Sequence, residues 1–364
     1  MARGLLSQRA PDQIRAPAPE RGVIHGRSRV LPFILRRRFV KRPIAGLVPV
    51  VALSGCSGRQ SILDPAGQDS ASLLTLFWVM LAGLVVIWLL INGMMFFFHH
   101  LSPRKYDESI ARKLIVGGGI VFPTVVIAAL LAWGLSMMPD QRAPGDGLRV
   151  EIVGEQWWWR VAYWPDGADA PIVSANEIRL PVGRRSTFEL SSAAVIHSLW
   201  IPALGGKMDM FPGRETFLTL EPTEAGTFRG QCAEFCGASH ALMAFEVVTM
   251  DPEDFDAWLA EEARPAQSPE GEAAIEGADV FAAQGCGACH TVRGTEAVGQ
   301  VGPDLTHVGS RLSLGAGILA PTVDNFIAWI DHTGDLKPEV EMPAYDDLPE
   351  DDLLALATYL VGLK

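Results

Sequence analysis

The sequence predicts a multidomain membrane protein: a two-helix transmembrane hairpin, then an all-β sandwich, then an all-α domain. Three observations carry this. At 364 residues the chain has room for two or three domains of ordinary size. Two apolar stretches, from about Ser72 to Phe98 and from about Leu114 to Met138, each exceed the roughly 20 residues that cross a 30 Å hydrocarbon core. Beyond them the pattern turns first to short β-rich runs and then to helical periodicity. Charge divides along the same line, with 16 Lys/Arg against 6 Asp/Glu up to Pro139, and 14 against 36 from Asp140 onward. An acidic part in water beyond a basic membrane-proximal part suits attraction of a basic protein partner, and no nucleic acid is expected.

Residues 1–55 read as a basic N-terminal extension with a signal peptide. Arg36 to Arg42 precede the apolar run Ile44 to Leu53, and Leu53-Ser54-Gly55-Cys56 resembles the cleavage box of a bacterial lipoprotein. Cys56 is then the expected lipidated residue, with 56–71 a short periplasmic linker. The hairpin takes residues 72–139. Its connection, His99 to Lys113, holds Arg104, Lys105, Arg112 and Lys113 against Asp107 and Glu108, which makes it cytoplasmic and places both flanks outside. The expected location is therefore a bacterial inner membrane, with all later domains in the periplasm. Gly117-Gly118-Gly119 permits close helix approach, and Pro123 needs neighbours to satisfy the carbonyl it frees, so the hairpin expects a larger membrane partner as well as lipid.

Residues 140–264 carry strand-like runs at Leu148 to Val153, Trp157 to Tyr163, Glu177 to Leu180, Ser186 to Leu190, Thr216 to Leu220 and Phe245 to Thr249, separated by turns such as Asp166-Gly167. Between the last two lies Cys232-Ala233-Glu234-Phe235-Cys236-Gly237-Ala238-Ser239-His240-Ala241-Leu242-Met243. Two thiolates, an imidazole and a thioether select a soft metal, copper or zinc, and the thioether favours copper. His197, on a strand-like segment, offers a second imidazole. One helix would also align positions 232, 236, 240 and 243 as a buried stripe, but Gly230, Gly237 and the β-rich flanks argue against a helix. In Glu155-Gln156-Trp157-Trp158-Trp159, strand alternation puts Trp157 and Trp159 on one face and Trp158 on the other.

These residues resemble the copper domain of cytochrome c oxidase subunit II, whose motif Cys-x3-Cys-x3-His-x2-Met with a distant upstream His is complete here. The resemblance implies a cupredoxin-like sandwich in which Cys232 and Cys236 bridge a dinuclear copper centre. His197 and His240 would each bind one metal, and Met243 and the Glu234 carbonyl would complete the set. It also implies that the Glu234 carboxylate reaches a magnesium ion at the boundary with subunit I, and that electrons enter at Trp157. In one place the chain departs from the family: a Glu common seven residues before the transmembrane Pro is Val116 here, which leaves Asp107 or Glu108 for any proton path.

After a linker at 265–274, residues 275–364 begin with a helical run, Ala273 to Gln284 in full, that leads into Cys286-Gly287-Ala288-Cys289-His290. Cys-x-x-Cys-His is the attachment motif of c-type haem, with thioether bonds at Cys286 and Cys289 and His290 as the proximal ligand. Zinc or thiol redox chemistry needs no adjacent His. Met342, the only methionine after His290, is the candidate sixth ligand, with His307 and His332 as competitors. Its surroundings, Lys337 to Tyr345, resemble the methionine loop of class I cytochrome c, and Gly302-Pro303-Asp304-Leu305 matches a segment whose carbonyl, at Pro303, would orient His290. Pro349 to Leu363 reads as a closing helix with Asp351 and Asp352 at its positive end.

Together with these motifs, the resemblance implies an electron-transfer subunit of a respiratory cytochrome c oxidase. Its expected partners are subunit I, subunit III and a periplasmic cytochrome c or other donor, and it has no oxygen-reducing site of its own. A nitric oxide reductase subunit and a copper-delivery protein are the alternatives. The second has no counterpart of Met243 and no use for a haem.

Overall fold

A computed structural model describes residues 57–142 and 147–364; Cys56 and the basic extension lie outside the described residues. Helix α1 (Gln68–Phe96) runs on in wider π-type turns to Leu101. After a short break, α2 (Glu108–Lys113) continues through similar turns into α3 (Phe122–Arg142). The two apolar rods are 34 and 31 residues long, about 50 Å and 46 Å at 1.5 Å per residue, ample to cross a bilayer. Leu84, Val86, Ile115 and Ile127 along them are exposed. An apolar helix bare on its sides is stable in lipid or against another membrane protein, not in water. The first rod is tied to the sandwich at its start: Gln68 N donates to Glu221 O at 3.0 Å, and Ser70 Oγ to Ala203 O at 2.7 Å.

The sandwich holds β1 (Leu148–Gly154), β2 (Trp159–Trp164), β3 (Ile172–Ala175), β4 (Glu177–Pro181), β5 (Ser186–Ser192), β6 (His197–Trp200), β7 (Met208–Met210), β8 (Thr216–Leu220), β9 (Gly226–Cys232) and β10 (Ala244–Met250). One sheet has the order β3-β2-β1-β5-β8, and the other β4-β10-β9-β6-β7. β1 pairs parallel with β5, and β10 with β4; the remaining pairs are antiparallel. Alternate residues of these strands, among them Val150, Ile152, Val161, Tyr163, Phe188, Leu190, Leu199, Phe245 and Val247, are fully buried between the sheets. This is the cupredoxin-like sandwich expected from the sequence.

One detail differs. Trp157 and Trp158 do not belong to β2, which starts at Trp159. Glu155 N donates to Trp158 O at 3.0 Å and Trp158 N to Glu155 O at 3.3 Å, closing a tight turn. Trp157 and Trp159 are nevertheless buried while Trp158 is half-buried, with the Arg160 guanidinium 4.7 Å above its ring.

Helix α4 (Pro252–Glu262), opened by Pro252 where the missing N–H costs nothing, lays Trp258 against Tyr163 at 5.3 Å between ring centres. A second core, around Phe281, Phe326, Ile330, Leu353, Leu356 and Leu360, is built by α5 (Glu272–Ala283), α6 (Val323–Asp331) and α8 (Glu350–Gly362), with the short α7 (Thr333–Leu336) following α6. The helical domain rests directly on the sandwich. Arg293 Nη1 donates to Val173 O at 3.0 Å, Leu312 N to Glu177 Oε2 at 2.7 Å, and Arg229 Nη1 to Gly317 O at 2.8 Å.

Candidate functional site

The first donor cluster is built by sheet geometry. Cys232 ends β9 and Met243 immediately precedes β10, so the hairpin between them carries Glu234, Cys236 and His240. β6 pairs with β9 at Leu199↔Cys232, which sets His197 beside the same end of the sheet. Cys232 Sγ lies 3.7 Å from Cys236 Sγ, 3.7 Å from His197 Nδ1 and 3.1 Å from Glu234 O. Cys236 Sγ lies 3.6 Å from His240 Nδ1 and 3.9 Å from Met243 Sδ. His197, Cys232, Cys236 and Met243 are buried and His240 is half-buried. All six predicted donors therefore converge.

The set fits a metal. Metal–sulfur bonds of about 2.3 Å and metal–nitrogen bonds of about 2.0 Å, at tetrahedral angles, put neighbouring donor atoms roughly 3.5–3.8 Å apart. The observed sulfur–sulfur and sulfur–nitrogen distances have that size, and the two thiols are far from the ~2.05 Å of a disulfide. Hydrogen bonding to Cys236 holds Cys232 well below the usual thiol range, and the same neighbour relation raises Cys236. The Glu234 side chain is exposed to solvent, with Lys207 Nζ 4.0 Å from its carboxylate.

The second cluster lies in the helical domain. Cys286 opens a single helical turn, Cys286–Ala288, capped by Gly285, and Cys289 and His290 follow it directly. His290 Nδ1 donates to Pro303 O at 2.8 Å, fixing the tautomer so that Nε2 is free to bind. Burial lowers the pKa of His290, against the pull of that carbonyl, and keeps it neutral as a ligand must be. Gly302 is held to glycine by the same ring: a Cβ there would sit 2.5 Å from His290 Cε1. Cys286, Cys289, His290 and Met342 line one cavity of about 1300 Å³ including its mouth, with Phe326, Trp329, Leu305 and Tyr345 among its walls. Thiols, imidazole and thioether around an apolar cavity fit a covalently attached haem. The competing histidines lie elsewhere: His307 Nε2 is 3.1 Å from Arg264 O, and the exposed His332 lies beside Asp331.

The sandwich completes this cavity with Gln156, Trp157, Trp158 and Asn176. Trp157 Nε1 and Gln156 Nε2 both donate to Cys236 O at 3.0 Å. One indole thus borders the helical domain's cavity and bonds to a thiolate residue of the other cluster. Gln156 and Lys337, which also lines the cavity, were not predicted as site residues. Gln156 meets Cys236 across 80 positions, which local sequence does not display. Val116 is exposed on the second rod, and Glu108 is paired with Arg112 at 3.2 Å.

Two membrane-length helices, a sandwich with a sulfur–imidazole cluster and a helical domain with a haem-attachment motif define a membrane-anchored electron-transfer protein. Comparison with known proteins agrees. Residues 165–250 match the family profile of the cytochrome c oxidase subunit II periplasmic domain, and residues 274–364 that of cytochrome c. Cytochrome c oxidase subunit 2 of Alkalihalophilus pseudofirmus is 32% identical over 86% of this chain and 94% of its own length. That of Bacillus subtilis is 30% identical over 88% and 96%. The solved periplasmic domain of subunit II from Bradyrhizobium japonicum is 30% identical over 33% of this chain and 95% of its own, with a TM-score of 0.30. The chain belongs to the cytochrome c oxidase subunit 2 family, in the form that carries a C-terminal cytochrome c domain.

Proposed function

We propose that this chain is the electron-transfer subunit of a respiratory oxidase, accepting electrons from a periplasmic donor and delivering them to a haem-copper subunit I. It is an enzyme only within that complex, anchored in the inner membrane by its two helices with both soluble domains outside, alongside subunit I and subunit III. The observation that carries this reading is Trp157, whose ring borders one donor cluster while its N–H bonds to the backbone of the other.

Cys286 and Cys289 would attach a haem c whose iron His290 and Met342 would bind. His197, Cys232, Cys236, His240, Met243 and the Glu234 carbonyl would hold two coppers, and the exposed Glu234 carboxylate is available to magnesium at the subunit I boundary. Both groups, when bound, supply one-electron chemistry. The chain's own residues prepare the sites. Pro303 O fixes the His290 ring, and burial of His197, Cys232, Cys236 and Met243 excludes water. Trp157 and Gln156 hold the Cys236 backbone against the helical domain. A site rigid before each transfer needs little reorganisation during it.

The purified chain should contain two coppers and one haem that acid acetone does not extract. One copper per haem, or an extractable haem, contradicts the assignment.

A further inference from the structure

The loop that presents Met342 is anchored on the other domain. At its start Lys337 Nζ donates to Gly315 O at 2.8 Å, while Ala316 O accepts from Ala244 N, next to Met243, at 3.0 Å. One residue on, Pro338 O accepts a 2.6 Å hydrogen bond from Ser239 Oγ. Val340 then packs against the core of the sandwich. At its far end the loop is tied to its own domain again, where Tyr345 N donates to Ile330 O at 3.0 Å. Ser239 is fully buried and directly precedes His240, in a turn where Leu242 N donates to Ser239 O at 3.0 Å. A single hydroxyl therefore joins the segment bearing the candidate haem ligand to the segment bearing a candidate copper ligand.

We propose that Ser239 is a positioning residue for Met342, acting across the domain boundary through Pro338, so that the sandwich sets how firmly the thioether is held at the haem site. This rests on the reading of Met342 as the sixth ligand. A thioether is a weak ligand, and its occupancy depends on how little its loop loses by staying closed. The Ser239 hydrogen bond and the Val340 contact bias the loop toward the closed position, while opening it would leave the buried Ser239 hydroxyl without its partner. The site is thus incomplete without the sandwich.

The test uses the full-length, metal-loaded, oxidised chain in detergent, with imidazole as a probe that binds the haem iron only after Met342 leaves. In S239A the apparent imidazole affinity should rise about 2- to 10-fold, the factor that one lost hydrogen bond is worth. The far-red absorption of sulfur-ligated ferric haem should also fade at a lower temperature. In an M342L background S239A should change nothing further. Equal tightening with and without Met342 would mean that the substitution merely opens the cavity, and no tightening at all would mean that the bond is idle; either overturns the proposal. Loss of copper from S239A also overturns it, by making Ser239 a folding residue of the copper loop. If M342L alone keeps the far-red band and the wild-type imidazole affinity, Met342 is not the ligand, and the haem assignment falls together with the proposal that rests on it.

Discussion

Lys337 is 2% exposed, and burial pulls its pKa down to about 7, against the opposing influence of Cys236. An unfolded lysine titrates near 10.4. Between those values the unfolded chain binds more protons than the folded one, so stability rises with pH from about 7 to about 10.4 and gains nothing from this group below 7. Urea unfolding of the helical domain at about pH 7.5 and 9.5 should show that rise in the native chain and a flatter response in Lys337→Met. An equal rise in both would assign the proton to another group. Met243 offers a separate check. Met243→Leu keeps both thiolates and both imidazoles and removes a weak axial donor, so copper should still bind with a changed potential; complete loss of copper would make Met243 structural. The difference between these two residues is also one of legibility. The donors from Cys232 to Met243 and from Cys286 to His290 stand in compact motifs, and their convergence could be anticipated from spacing. Lys337, Gln156 and Ser239 owe their places to contacts across a domain boundary, and no local pattern displays that.

The same division holds for elements. Both apolar rods, the helix leading into Cys286 and the closing helix were legible from periodicity and length. Helices α4 and α6 carry start signals too, Pro252 at the first position of one and Thr322 capping Asn325 N at 3.3 Å in the other. Strands β3 and β7, four and three residues long, carry none; pairing with β2 and β6 makes them strands. The tryptophan run misled by two residues at the start of β2, because alternation of burial is preserved by a tight turn as well as by a strand. Helices α5 and α8 approach closely at Gly277 on α5, where a Cβ would lie 2.0 Å from Ala355 O on α8. That atom is backbone and cannot rotate aside, so Gly277→Ala must push the two helices apart at a cost of roughly 1–3 kcal/mol. Thermal unfolding followed at the haem should show the loss, while the copper domain, which has its own core, keeps its midpoint. A shared decrease would mean that the two domains unfold as one unit.

At the scale of the molecule the two soluble domains meet through hydrogen bonds, several of them to main-chain carbonyls: Arg293 on Val173 and Arg229 on Gly317, both part-buried, Ala244 on Ala316 between buried residues, and an exposed bond from Arg160 to Gln300. The outer surface is different. From Asp140 onward 36 acidic residues face 14 basic ones, a field that attracts a basic donor and weakens as salt shortens the Debye length from about 30 Å at 0.01 M to about 10 Å at 0.1 M. Reduction of the haem by an external basic cytochrome should therefore slow several-fold across that range, whereas transfer from haem to copper within the chain should not change. Stopped-flow mixing, read at separate wavelengths for the two centres, resolves the steps. Trp157→Ala should slow only the second, because its indole carries the contact between the haem cavity and Cys236 and takes no part in meeting the donor. If salt slows both steps alike, the helical domain docks and undocks on each turnover, and the hydrogen-bonded interface describes one of its positions instead of a fixed mount. If Met342→Leu leaves copper reduction as fast as before, donors reach the sandwich directly, and the order of haem first and copper second is wrong.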